Sequence, residues 1–225
     1  MPFGGGEEMR VFCFHSVRGR LAIPPAIQWQ SQKFHEEFSE KLTVSPSWFF
    51  DWLDAAVKMW KDELVVTFDD AFSDVMVPAM LSAKMGIRTI VFVPTAHIGK
   101  VFPYAPYRVM SNVELRYVAA MGVELGSHGH NHVSWLEMPI DDVRMEMEVS
   151  RKLIQPLVAG LDQQTLTIAP PHGKFLPEHI RMTVDSGFGG VFGTHLYPVE
   201  AEGATPRCLA NMEGYLNEAG EECTW

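Results

Sequence analysis

Short apolar and β-branched runs recur along the chain, and several end abruptly in polar residues. The clearest is Leu64-Val65-Val66-Thr67-Phe68, preceded by Lys61-Asp62-Glu63 and followed by two adjacent carboxylates, Asp69 and Asp70. An unbroken apolar run of this length reads as a strand covered on both faces, as in a parallel sheet flanked by helices. Runs at 10–14, 89–93, 123–126, 165–169 and 191–192 read as further strands. Between them lie helical patterns. Ser45 suits an N-cap and Pro46 a first helical position, and Trp48, Phe49, Trp52, Leu53, Ala56 and Val57 recur at helical spacing. Similar patterns cover 75–84, 111–121, 139–158 and 177–185. Strand and helix alternate about six or seven times, which argues for a parallel α/β sheet or barrel. No composition break marks a linker, so the chain divides into a tail at 1–9 and a single domain over 10–225.

Composition narrows the function. A formal net charge of −10 disfavours nucleic acid as a partner, because phosphate binding relies on clustered Lys and Arg. It equally disfavours anionic lipid surfaces. Cys13, Cys208 and Cys223 are an odd number without metal-type spacing among themselves, and read as small core or surface residues. The acidic, glycine-rich start has no basic segment followed by an apolar one, so no signal peptide is read there. No stretch approaches the ~18 apolar residues of a membrane helix, and no membrane insertion is expected. With no such segment read, a cytoplasmic location is the expectation.

The polar marks share one kind of position. Asp69-Asp70, His128-x-x-x-His132 and Pro170-Pro171-His172-Gly173 each follow a predicted strand directly. In a parallel barrel those strand ends converge on one rim, where residues distant in sequence meet. Two histidines and a carboxylate around an open position suit a catalytic Zn²⁺-type site. Asp70, His128 and His132 are therefore the candidate metal ligands, and Asp69 the candidate general base. The histidine spacing would also fit one helix face, but Gly126 and Gly129 favour a loop. His130, between the two ligands, is expected to face solvent. Backbone N–H groups near His172 and Gly173 could line an oxyanion position. Such a set suits hydrolysis of an amide or ester.

These residues resemble the polysaccharide deacetylases, also called carbohydrate esterase family 4 or the NodB-homology domain. TFDD at 67–70 is similar to the family's first motif, whose first Asp is the base and whose second binds metal. SHGHNH at 127–132 is similar to the second motif, which supplies two metal-binding histidines. IAPPHG at 168–173 resembles the third, which shapes one side of the groove and here includes Pro171, His172 and Gly173. Phe14-His15-Ser16-Val17 looks like the aromatic-His opening of one branch, and 44–53 like the helix before the first motif. The similarity runs from about residue 10 to 200, over the elements that the strand–helix alternation defines.

The chain departs from the family pattern in three places. Ala71 stands where Gly usually follows the Asp pair, a small change if that position has negative φ. Ala169 stands where many members have an Arg that orients the base. The late Leu-x-His motif, whose His is the general acid, has no clean match; His195 is the nearest candidate, with His15 or His172 as alternatives.

The resemblance implies a distorted (β/α) barrel of the NodB-homology type with about seven parallel strands. It implies a metal-dependent hydrolase that removes N-acetyl or O-acetyl groups from an amino-sugar-containing saccharide or glycoconjugate. Zn²⁺ is the expected cofactor, with Co²⁺ and Ni²⁺ as alternatives. Two other readings stay open: the same fold hydrolysing a non-sugar C–N amide bond, and a degenerate, non-catalytic carbohydrate-binding domain. Retention of Asp69 argues against the last. Aromatics of the 94–108 loop and Trp135 are candidates for stacking on a sugar ring, or for packing.

Overall fold

The computed structural model describes residues 9–18, 42–103, 105–163 and 165–193, together with the backbone of short strands at 204–205, 208–211 and 214–216. The strands are β1 (Arg10–Phe14), β2 (Ser16–Val17), β3 (Thr43–Val44), β4 (Leu64–Phe68) and β5 (Arg88–Val93). They continue as β6 (Glu124–Ser127), β7 (Val191–Phe192), β8 (Ala204–Thr205), β9 (Cys208–Asn211) and β10 (Gly214–Leu216). The helices are α1 (Pro46–Trp60), α2 (Met76–Lys84), α3 (Asn112–Ala120), α4 (Ile140–Ile154) and α5 (Pro177–Asp185).

The main sheet runs β10-β9-β1-β4-β5-β6. β1 and β4 pair in parallel from Arg10 opposite Leu64 to Phe14 opposite Phe68. β4–β5, β5–β6 and β1–β9 are also parallel, whereas β10 is antiparallel to β9. Beyond β6, Ile168 bridges Ser127 on one side and Val191 on the other, carrying the parallel order on to β7, which pairs with β8. The fold is the distorted α/β barrel expected. The strand read at 165–169 shrinks to this bridge, because Pro170 and Pro171 have no N–H to extend a ladder. β8 to β10 were not legible as strands.

Strand alternation divides the core in two. Phe12 and Phe14 of β1 face the helices, where Phe14 meets Phe49 and Trp52 of α1 with ring centroids 5.0 and 4.8 Å apart. The other parity faces the barrel interior, where Val11, Val65, Ile90, Phe92, Ala169 and Phe192 form a smaller cluster. Gly126 admits this packing: a Cβ there would lie 2.5 Å from the Phe92 ring.

Helix boundaries follow local chemistry. The Ser45 hydroxyl accepts from the Trp48 N–H at the start of α1. Ser111 and Glu114 form a capping box on α3, and Arg108 grips the Glu114 carboxylate with two nitrogens at 2.6 and 2.7 Å. The pattern expected over 139–158 ends as a helix at Ile154 and finishes in a 3₁₀ turn, Gln155–Leu157, since Pro156 cannot donate to a helical carbonyl. Among the described residues, no helix is long and apolar enough to cross a membrane.

Candidate active site

β4 delivers Asp69 and Asp70 at its C-terminal end, both at least 95% buried. β6, one strand further across β5, ends at Ser127 and delivers His128. The next loop turns back so that His132 meets the same point. Asp70 Oδ1 lies 3.1 Å from His132 Nε2 and 3.8 Å from His128 Nε2. The ligand atoms of Asp70, His128 and His132 all fall within 4.8 Å of one another. The Asp69 carboxylate stands beside them, with Oδ2 3.8 Å from His128 Nε2. Two chain segments, the end of β4 and the 128–132 stretch after β6, thus meet at one point.

Electrostatics favour a cation here. His128 Nδ1 is 2.8 Å from the Ala169 carbonyl oxygen. A carbonyl only accepts, so Nδ1 carries the proton and Nε2 presents its lone pair to the cluster. Burial pushes His128 down to about 4, which keeps it neutral at physiological pH. Burial alone would raise Asp70, but His132, by its charge and a hydrogen bond, outweighs it and holds the carboxyl below its ordinary range. Asp70 Oδ1 is buried and faces the Nε2 atoms of His132 and His128. A buried carboxylate oxygen facing two imidazole nitrogens is the donor set of a divalent metal.

A buried carboxylate sets the loop. Glu146 of α4 is 5% exposed, and its Oε2 accepts from the backbone N–H of His130 and Asn131 at 2.7 and 2.8 Å. Its Oε1 accepts from Asn131 Nδ2 at 2.6 Å. Sequence reasoning missed this residue, although the signal was present: Glu146 occupies a position on the buried face of α4, alongside Val143, Met147, Ser150 and Ile154. His130 does not simply face solvent. It is half-buried, with Nδ1 2.9 Å from Thr95 Oγ1.

Backbone conformation marks the same place. Among the described residues, the non-glycine positions with positive φ are Asp70 (63°), Ala71 (51°), His132 (59°) and His172 (60°). Left-handed backbone costs about 1–2 kcal/mol per residue with a side chain, and such strain collects at functional sites. All four lie in or beside the three polar motifs of the sequence.

The remaining candidates are placed less uniformly. His15 is half-buried at the end of β1, with a ring nitrogen within 4.8 Å of the Asp69 carboxylate. His172 is exposed, with its ring 4.8 Å from that of His132. Pro171 is buried and has no N–H, and the Gly173 N–H closes a turn on the Pro170 carbonyl at 3.0 Å. Gly173 is thus corrected as an oxyanion donor, because its N–H is already used. His195 lies outside the described residues. Trp135 is 1% exposed and packs on His179, and Phe102 and Tyr107 are buried. These three pack rather than present a stacking face. Tyr104 lies outside the described residues.

The family model for polysaccharide deacetylases matches residues 56–191, more than half of the chain. The chain belongs to the polysaccharide deacetylase family. Solved structures agree on the fold. The deacetylase PplD of Streptococcus pyogenes, solved with acetate, is 15% identical with a TM-score of 0.66, covering 91% of this chain and 92% of its own. IcaB from Ammonifex degensii is 18% identical, with a TM-score of 0.64 and coverage of 92% and 94%. A de-N-acetylase from Aggregatibacter actinomycetemcomitans is 15% identical, with a TM-score of 0.52 and coverage of 84% and 88%. No curated protein sequence matches.

Two departures of this polysaccharide deacetylase from the family pattern gain a structural meaning. Ala71 is buried with φ 51°, so the condition for a small change, negative φ, is not met, and replacing the usual Gly carries a conformational cost. Ala169, where many members carry Arg, is fully buried in the inner cluster. Its carbonyl orients His128, a task that does not depend on its side chain.

Proposed function

We propose that this polysaccharide deacetylase removes N-acetyl groups from an amino-sugar-containing saccharide, with Asp70, His128 and His132 holding a divalent metal, Zn²⁺ by its donor set. The observation that carries this reading is the buried carboxylate of Asp69 standing 3.8 Å from one arm of a one-carboxylate, two-histidine cluster. When bound, the metal supplies Lewis-acid polarisation of the amide carbonyl and acidifies water.

The residues of the chain do the rest. Asp69 takes a proton from the attacking water, and this use of a positioned base contributes about 10²–10⁴ in rate. His15, whose ring nitrogen neighbours the Asp69 carboxylate, donates a proton to the departing amine. The N–H of His172 is the backbone donor of the third motif left to face the oxyanion, since Pro171 has none and that of Gly173 is used. The buried position of Asp69 and Asp70 excludes bulk water from both carboxylates. Acetate, the product of this reaction, is the molecule bound in the PplD structure.

A second reading, hydrolysis of a non-sugar C–N amide, draws on one observation. Neither Phe102, Tyr107 nor Trp135 offers an exposed ring for sugar stacking. Metal analysis of the purified protein with acetate release from N-acetylglucosamine oligomers decides between them. Acetate release at one metal per chain supports the proposal. A metal-loaded protein inert on acetylated sugars and active on simple amides would replace it with the second reading.

A further inference from the structure

The ligand-type side chains at the barrel mouth form two sets. Beside Asp70, His128 and His132 stands a second trio, Cys13, His15 and Asp69, whose sulfur, ring nitrogen and carboxylate oxygen also lie within 4.8 Å of one another. Strand geometry creates it. Cys13 and His15 share one parity on β1, the parity of Val11 that faces the barrel interior. On β4 the same parity carries Val65, Thr67 and Asp69. Cys13 pairs with Thr67, and the Asp69 N–H donates to the Phe14 carbonyl at 2.8 Å, which sets Asp69 beside His15. Cys13 is 2% and Asp69 4% exposed, so two of the three donors are walled off from bulk water.

We infer that Cys13, His15 and Asp69 form a second Zn²⁺ site that fills only at metal excess and inhibits the enzyme. Thiolate, imidazole and carboxylate together suit Zn²⁺, and a sulfur donor selects against Mg²⁺, Ca²⁺ and Mn²⁺. Binding replaces the thiol S–H by a sulfur–zinc bond and releases the proton to buffer. The site is the weaker of the two for electrostatic reasons. Asp69 Oδ2 is 3.8 Å from His128 Nε2, so the two trios adjoin and a second cation is repelled by the first. Inhibition rests on the proposed role of Asp69, because a carboxylate bound to zinc cannot accept a proton from water. Binding itself does not rest on that role.

Cobalt titration of the full-length protein separates the two claims, since Co²⁺ bound to thiolate absorbs in the near ultraviolet and the Asp70–His128–His132 set contains no sulfur. The charge-transfer band should grow with the second equivalent of Co²⁺, survive in a Cys208→Ser/Cys223→Ser variant and vanish in Cys13→Ser. In parallel, the Zn²⁺ concentration that halves acetate release should rise about tenfold or more in Cys13→Ser, as expected for loss of a metal-supporting group. One metal per chain at excess with no sulfur band, or a band lost with Cys208 and Cys223 instead, overturns the site. A Cys13-dependent band in a protein that releases no acetate leaves the site standing and sinks the deacetylation reading. A band accompanied by unchanged zinc inhibition in Cys13→Ser overturns the inhibitory role.

Discussion

The interior of this barrel has two layers carried by the same strands, and they differ in almost every physical respect. The lower layer, with Val11 on β1 and Val65 on β4, is apolar and buried. Two to four residues further along the same face, β1 reaches Cys13 and His15 and β4 leads to Asp69. The upper layer is ionisable, with Cys13 and Asp69 buried and His15 half-buried, and the left-handed non-glycine residues found among the described positions border it. The strands therefore supply stability below and chemistry above, separated by one or two pleat repeats. Burial, which stabilises the lower layer, is a cost in the upper one unless charges pair or hold a metal.

The sharpest way to break this contrast is to neutralise the two carboxylates separately. Asp69→Asn should lower acetate release by about 10²–10⁴-fold while metal content stays near one per chain. Asp70→Asn and His128→Ala should lose metal and activity together. Metal analysis beside turnover reads both, and full activity in Asp69→Asn would remove the base from the mechanism. The inner apolar cluster should respond in stability instead. Phe92→Ala removes a fully buried ring and should cost about 3–5 kcal/mol in denaturant unfolding. A Phe92 variant of unchanged stability would show that the inner cluster is not the support it is argued to be.

Glu146 lies between these extremes, being a charge that acts through backbone geometry. In Glu146→Gln one carboxylate oxygen becomes an NH₂ facing donors that the carboxylate now satisfies. The expected cost is about 1–3 kcal/mol of stability, with a 10–100-fold loss of metal affinity as the His128–His132 loop relaxes. A KM for substrate that stays fixed while metal affinity falls would confirm positioning. Unchanged metal affinity would assign Glu146 to folding alone.

How much of this was readable beforehand follows from the same contrast. The lower layer and the helices announce themselves through periodicity, as with Leu64–Phe68 and the Ser45 cap. The convergence of Asp70, His128 and His132 was legible because the two motifs that carry them begin directly after strands, and parallel strands bring their ends together. What escaped was long-range or conformational. Glu146 contacts residues fifteen and sixteen positions away, and only its misfit in an apolar helix face hinted at it. The left-handed backbone at Asp70, Ala71, His132 and His172 has no compositional mark, since none is a glycine. Cys13 was read as an isolated cysteine because its partners come from the next residue of the same parity, His15, and from a paired strand. The short strands after residue 200 lack the apolar runs that reveal the others.

The smallest expected effect tests the contrast from outside, on a pair of charges open to solvent. Arg108 and Glu114 close the start of α3 with side chains 40% and 26% exposed. The Arg108 fork and the Ser111 cap hold Glu114 at about 2, against an ordinary value of 4.5. A carboxyl depressed on folding stabilises the native state above its unfolded pKa, and that contribution fades as pH falls from 4.5 towards 2. Solvent screening limits it to about 0.5–1 kcal/mol at pH 7. Glu114→Gln keeps the hydrogen-bonding shape of the capping box and removes the charge. The difference in unfolding free energy between wild type and variant should therefore be largest at neutral pH, shrink below pH 4.5, and fall further in high salt. Unlike the buried upper layer, where removing a carboxylate abolishes chemistry, this exposed pair should leave acetate release unchanged. A pH-independent difference would assign the effect of Glu114 to shape, with no contribution from its charge.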